Sequence, residues 1–155
     1  MTEEPITAEG IEALRAELEE LQGPRRREMA KRIKAARELG DLKENAEYHI
    51  AKDDQAHLES RIKRLRGRLS KAVVVEADTS ASVFAFGRTA EVKDLDNGQT
   101  NTWTLVGATE ADPKQGKLSA ESPAGRALRD APIGEDVTFE TPGGVKTYRI
   151  EELLA

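Results

Sequence analysis

The chain has no cysteine, so it can carry neither a disulfide framework nor a thiolate metal site. That fits a reducing, cytoplasmic setting. Aromatic residues are only 4% of its 155 residues, so any core must rest on Leu, Ile, Val and Ala. No apolar run approaches the roughly 20 residues that span a bilayer, and no membrane partner is expected. The opening Met1-Thr-Glu-Glu-Pro5 is acidic and lacks an apolar stretch, so it does not read as a secretory signal. No second histidine stands at a ligand spacing from His49, which argues against a zinc site. No Ser-His-Asp or Cys-His set suggests itself, and there is no glycine-rich phosphate loop. Nothing in the chain looks like a self-sufficient active site, so it is not expected to be an enzyme on its own.

Charge is plentiful but uneven. The formal net charge is −5. Before Gly23 there are 7 acids against Arg15 alone. From Gly23 to Lys71 there are 15 Lys and Arg against 8 Asp and Glu, and from Ala72 onward 8 against 14. A basic middle suits a phosphate backbone or an acidic surface, although such runs are usually solvated helical faces. The set Arg25, Arg26, Arg27, Lys31, Arg32, Lys34 and Arg37 has only Tyr48 as an aromatic neighbour. Backbone contact therefore fits it better than base stacking.

The periodicity up to about Ala72 is helical. Ile11, Leu14, Leu18 and Leu21 recur at 3-4-3 spacing, and Ala51, Gln55, Leu58, Ile62, Leu65 and Leu69 at 4-3-4-3-4. Thr7 suits the N-cap of the first helix. Gly23-Pro24 predicts a kink or short break, and the apolar positions after it (Met29, Ile33, Ala36) resume one residue out of phase. Folding the chain about positions 42–43 sets Leu21 opposite Leu65. Ala35, Ala36, Ala46 and Ala51 then form a small-residue seam and a thin far end. Gly40 suits a helix C′ position.

From Ala77 to Ala85 the chain reads as a linker, and beyond it as strand and turn. Thr89–Leu95 and Gln99–Val106 flank Asp96-Asn97-Gly98. Val137–Thr141 and Lys146–Ile150 flank Pro142-Gly143-Gly144. Both are hairpin signals. Ser122-Pro123 opens a short helix. Trp103, Phe139, Tyr148 and Ile150 are expected in the core. The expected organisation is an α+β protein: residues 1–76 a coiled-coil arm, 77–82 a linker, and 83–155 a second domain built as an antiparallel sheet with one short helix.

The turn between the arm helices carries Asp41 and Glu44. Two carboxylates alone hold Mg²⁺ poorly, because that ion wants octahedral oxygen coordination, but they can complete a site whose other ligands come from a partner. The plainer reading is a capping box, with Asp41 as N-cap and Glu44 three positions on. Both readings remain open from spacing alone.

Gly40-Asp-Leu-Lys-Glu-Asn-Ala-Glu-Tyr-His49 resembles the tip motif of the bacterial GreA/GreB transcript-cleavage factors, and Leu42-Lys43 and Glu47-Tyr48-His49 are closer to the GreA branch. The resemblance extends over Thr7-Ala-Glu-Gly10, Glu59-Ser-Arg-Ile62, Leu69-Ser-Lys-Ala72, Ser122-Pro123 and Thr141-Pro-Gly-Gly144. It implies an antiparallel coiled coil and an FKBP-like second domain. It implies that the arm enters the secondary channel of bacterial RNA polymerase. There Asp41 and Glu44 would act catalytically and help hold a second Mg²⁺, shared with the polymerase, while backtracked RNA is cleaved at its 3′ end and arrested complexes are rescued. No cofactor is expected on the chain alone. The same resemblance implies RNA contacts from Arg26, Arg37 and Lys52, tip support from Gly40, Asn45 and Tyr48, and polymerase binding through Ser122 and Pro123. DNA-binding, a cytoplasmic location and a monomeric state accompany it. Lys52 stands where family members often carry arginine, which keeps the charge but loses the planar fork.

Three other readings compete. A non-cleaving channel regulator or inhibitor would share the shape, but the intact acidic pair argues against it. A prolyl isomerase rests on fold analogy alone, and the second half lacks the cluster of aromatics expected of such a pocket. A plain coiled-coil adaptor leaves the acidic turn unexplained.

Overall fold

The computed structural model describes residues 3–154. In chain order these form β1 (Glu4–Ile6), α1 (Ala8–Glu20), a π-helical turn (Leu21–Arg25), α2 (Arg26–Arg37), α3 (Ala46–Lys71) and β2 (Ala72–Val74). They continue with β3 (Thr89–Asp94), β4 (Thr100–Val106), β5 (Lys117–Ser119), α4 (Pro123–Leu128), β6 (Asp136–Thr141) and β7 (Gly144–Leu153). Two compact units result among the described residues, one of residues 11–72 and one of residues 3–10 with 73–154.

This division differs from the expected 1–76, 77–82 and 83–155. The amino-terminal strand β1 pairs with β2, and the Val75 amide donates to the Ile6 carbonyl at 2.9 Å. Residues 3–10 therefore fold with the second unit. The segment expected as a linker is tied down as well: buried Arg88 donates to the carbonyls of Asp78 and Ala81.

In the first unit, Ile11, Leu14, Leu18, Ile33 and Ala36 are buried on one strand of the hairpin, and Ala51, Leu58, Ile62 and Leu65 on the other. The register centres on residues 42–43, as Arg32 pairs with Asp54 and Arg26 with Glu59. Of the small residues expected in the seam, Ala36 and Ala51 are there; Ala35 and Ala46 face solvent. The Gly23-Pro24 feature takes the form of the π turn. A π turn accommodates one extra residue within a continuous helix, which absorbs the one-residue phase shift between Leu18 and Ile33. It also gives a proline, which has no amide hydrogen and crowds the preceding turn, a wider turn to occupy.

The second unit is a five-stranded sheet of order β5-β4-β3-β7-β6. Both expected hairpins, β3/β4 and β6/β7, are antiparallel, as is β3/β7. The short edge strand β5 runs parallel to β4, so the sheet is mixed and not the purely antiparallel one expected, because β5 is reached by a crossover and not by a hairpin. Helix α4 packs on both edge strands, β5 and β6, so the sheet curls around it. The core comprises Phe84, Phe86, Ala90, Val92, Leu105, Ala120, Leu128, Ala131 and Ile150. Each fully buried large apolar side chain of this kind contributes about 1.5–3 kcal/mol. Ile150 is fully buried, whereas Trp103, Phe139 and Tyr148 are half-buried at its border. Cross-strand placement sets those three rings edge to face, with centroids 5.3 Å (Trp103–Tyr148) and 5.2 Å (Phe139–Tyr148) apart. Three strands thus bring together rings that stand far apart in the sequence. Burial raises the Tyr148 hydroxyl pKa above its ordinary value.

Candidate functional site

The turn from Glu38 to Asn45 reverses the arm. Gly40 has φ +134°, where a side chain would be strained. Asp41 then closes a local turn, its Oδ1 accepting from the Lys43 amide at 3.0 Å. Asp41 does not cap α3. That cap is Asn45, whose Oδ1 accepts from the Tyr48 amide at 3.1 Å. The Asn45 side-chain amide also donates to the Ala36 carbonyl. One residue thus ties the end of α2 to the start of α3. Tyr48 lies behind it, with the Arg37 guanidinium carbon 5.9 Å from its ring centroid, and His49 Nε2 reaches the Lys43 carbonyl at 3.2 Å.

The capping-box expectation for Asp41 and Glu44 therefore fails on geometry, because Asn45 starts the helix instead. Glu44 is exposed, and among the described residues no ion pair or hydrogen bond holds its carboxylate. Two exposed carboxylates stand on a turn braced by Gly40, Asn45 and Tyr48. Around them lie exposed apolar side chains, Leu39 (69%), Leu42 (42%) and Ile50 (55%). No group of three or more His, Cys, Asp or Glu that could hold a metal occurs among the described residues. Asp41 and Glu44 can offer oxygen ligands to Mg²⁺, which fits their chemistry, but only as part of a shell.

The basic residues fall into two groups. Arg26 forms a two-pronged bond with Glu59, at 3.0 and 2.7 Å, and Arg32 binds Asp54 at 2.7 Å. The Arg26 bond holds the Glu59 carboxyl below its ordinary range and raises the guanidinium. These two arginines staple the arm. Arg37 stacks on Tyr48, and Lys52 donates to Gln55 at 2.9 Å. Neither has a carboxylate partner among the described residues.

Ser122 and Pro123 sit at the start of α4. Ser122 Oγ accepts from the Gly125 amide at 3.0 Å and donates to the Ser119 carbonyl at 2.7 Å. Pro123 is exposed. Ser122 also borders an apolar pocket lined by Trp103, Ala111, Pro113 and Leu118. Asn45's second bond has no signature in the sequence, because Ala36 is nine residues away in the chain. Asn at that position, three residues before the Tyr48 amide it caps, was the available signal for the cap itself.

The family model described as "Transcription elongation factor, N-terminal" matches residues 4–74, and that described as "Transcription elongation factor, GreA/GreB, C-term" matches residues 79–154. Transcription elongation factor GreA of Nautilia profundicola is 47% identical, covering 99% of this chain and 95% of that one. The GreA factors of Geobacillus kaustophilus (44%; 94% and 93% covered) and Bacillus subtilis (40%; 96% and 95%) are similar too. Among solved structures, Thermus aquaticus Gfh1 superposes with a TM-score of 0.46 at 29% identity, covering all of both chains. With both halves matched and relatives at this identity over nearly the whole length, the chain belongs to the GreA/GreB family of transcription elongation factors.

Proposed function

We propose that this elongation factor acts on bacterial RNA polymerase by carrying Asp41 and Glu44 to the polymerase active centre through its secondary channel. There it stimulates the polymerase's own endonucleolytic cleavage of backtracked RNA. The observation that carries this reading is the tip: two exposed carboxylates on a braced turn, one without a partner among the described residues and neither needed to cap a helix. A capping-only role leaves them unexplained. A complete hydrolytic site needs groups for both the attacking water and the leaving oxygen, and a pair of carboxylates supplies only part of that.

In this account the backbone of the tip is held by Asn45, and Asp41 is oriented further by its bond to the Lys43 amide. Asp41 and Glu44 would hold a Mg²⁺ ion shared with the polymerase, which when bound supplies charge neutralisation and a water of lowered pKa. Arg37 and Lys52 flank the tip with positive charge suited to the RNA backbone. Arg26 would have to leave Glu59 to make such a contact. Ser122, Pro123 and the adjoining pocket face are the proposed grip on the polymerase.

The test is direct. Purified factor is added to stalled, backtracked elongation complexes, and the RNA is resolved by length. The reading requires shortened transcripts that can be re-extended, and no cleavage of free RNA by the factor alone at millimolar Mg²⁺. Tight binding that blocks the channel without shortening RNA would establish a non-cleaving regulator instead.

A further inference from the structure

The backbone of Lys43 is held at both ends. Its amide donates to Asp41 Oδ1 at 3.0 Å, and its carbonyl lies 3.2 Å from His49 Nε2. A carbonyl oxygen can only accept, so Nε2 carries the proton and donates it to this bond. The His49 ring is itself placed by its neighbour. Tyr48 and His49 stand in the first turn of α3, and their rings meet edge to face with centroids 5.8 Å apart. The Arg37 guanidinium of α2 lies over the Tyr48 ring. Contacts therefore run from the end of α2, through two rings at the start of α3, to one peptide group of the turn.

That peptide joins Lys43 to Glu44. The Glu44 carboxylate has no ion pair or hydrogen bond among the described residues, so its position is set by the backbone beneath it. On the far side Asn45 anchors the chain to α2 and α3. On the near side the anchor is His49. Of the three peptide groups between Asp41 and Glu44, the second is tied through the Lys43 amide and the third through the Lys43 carbonyl. The spacing of the two carboxylates follows from those ties. Spacing matters to their chemistry, because Mg²⁺ demands near-octahedral oxygens at about 2.0–2.1 Å. A catalytic group misplaced by about 1 Å can cost on the order of a hundredfold in rate.

We propose that His49 is a positioning residue of the tip: its Nε2–H holds the Lys43–Glu44 peptide and so fixes the separation of the Asp41 and Glu44 carboxylates. The consequence for cleavage rests on the function proposed above; the brace itself does not.

Backbone ¹⁵N relaxation of the full chain reads the brace without polymerase. The Glu44 amide of the parent should approach the rigid order parameter of about 0.85, and in His49→Ala it should fall toward the flexible range below about 0.6. His49→Gln puts an amide nitrogen about where Nε2 stood and should restore the rigid value. His49→Asn is too short to reach and should not. The Tyr48 amide, capped by Asn45, should stay rigid in all of them. A flexible Glu44 in the parent, or an unchanged one in His49→Ala, overturns the brace.

With polymerase and a backtracked complex, His49→Ala should keep the half-saturating factor concentration within about twofold and lose about tenfold in maximal cleavage rate. His49→Gln should recover most of that rate. A loosened Glu44 with a full maximal rate overturns the positioning role, as does a loss that His49→Gln leaves unrelieved. A parent that stimulates no cleavage sinks the proposed function instead, and the relaxation data still decide the brace.

Discussion

Asn45→Ala removes two bonds at once, and their sum can be read at a single amide. The cap to the Tyr48 amide is worth about 1 kcal/mol. The bond to the Ala36 carbonyl, partly shielded from water, is worth about another 1 kcal/mol. Together, about 2 kcal/mol of local stability is lost, which corresponds to about a thirtyfold change in a local opening equilibrium. Hydrogen exchange at the Tyr48 amide, followed by NMR, should therefore accelerate by about thirtyfold. Asn45→Asp separates the two bonds. A carboxylate caps as well as an amide but cannot donate to Ala36, so acceleration by about fivefold is expected. Exchange at Tyr48 within twofold of the parent in Asn45→Ala would refute the idea that Asn45 braces the tip.

The remaining predictions concern the arm and the second unit. Arg26→Met should lower the melting temperature of the arm at neutral pH and low salt. The Glu59 carboxyl is held below its ordinary value of 4.5 by Arg26. The pair's contribution is thus complete above that value, and it is lost as pH falls through the lowered one; the parent and variant melting curves should converge there and at high salt. Equal melting at all pH values would assign Arg26 no stapling role. Deleting Gly23 together with Pro24→Ala removes the extra residue and both poor helix formers, so the helical signal and arm stability should rise; a fall would contradict the phase argument for the π turn. Gly125→Ala should destabilise the second unit by about 1–3 kcal/mol through overpacking, because a Cβ there would lie 1.8 Å from the Ser119 carbonyl oxygen. Urea unfolding followed by Trp103 fluorescence reads that loss, and an unchanged midpoint would contradict it.

Local patterns in the sequence were legible where neighbours in the chain decide the outcome. The two seams, the turns at Asp96-Asn97-Gly98 and Pro142-Gly143-Gly144, and the Ser122 cap all follow from residues a few positions apart. What escaped depends on distant partners. Strand β1 is three residues long and takes its place only through β2. Glu110 meets Thr7 across 103 positions. The aromatic trio comes from β4, β6 and β7, and no spacing announces it. At Asp41 the difficulty was choice: Asp41 and Asn45 are both good caps, and only the length of the turn decides between them. The out-of-phase seam after Leu21 was visible, but its solution as a π turn required the continuous helix on either side.

The central claim is that the tip carboxylates act by their charge, and amide replacement tests it most directly. Asp41→Asn and Glu44→Gln keep size and most local hydrogen bonding, and neither residue caps α3, so the fold should be unaffected. Stimulated cleavage of backtracked RNA by purified polymerase should fall by about a hundredfold or more in each, as expected for loss of charge stabilisation in the transition state. Factor binding, measured by competition with the parent, should stay within about twofold, a free-energy change under about 0.5 kcal/mol. Cleavage by Asp41→Asn at the parent's rate and with the parent's Mg²⁺ dependence would contradict the account.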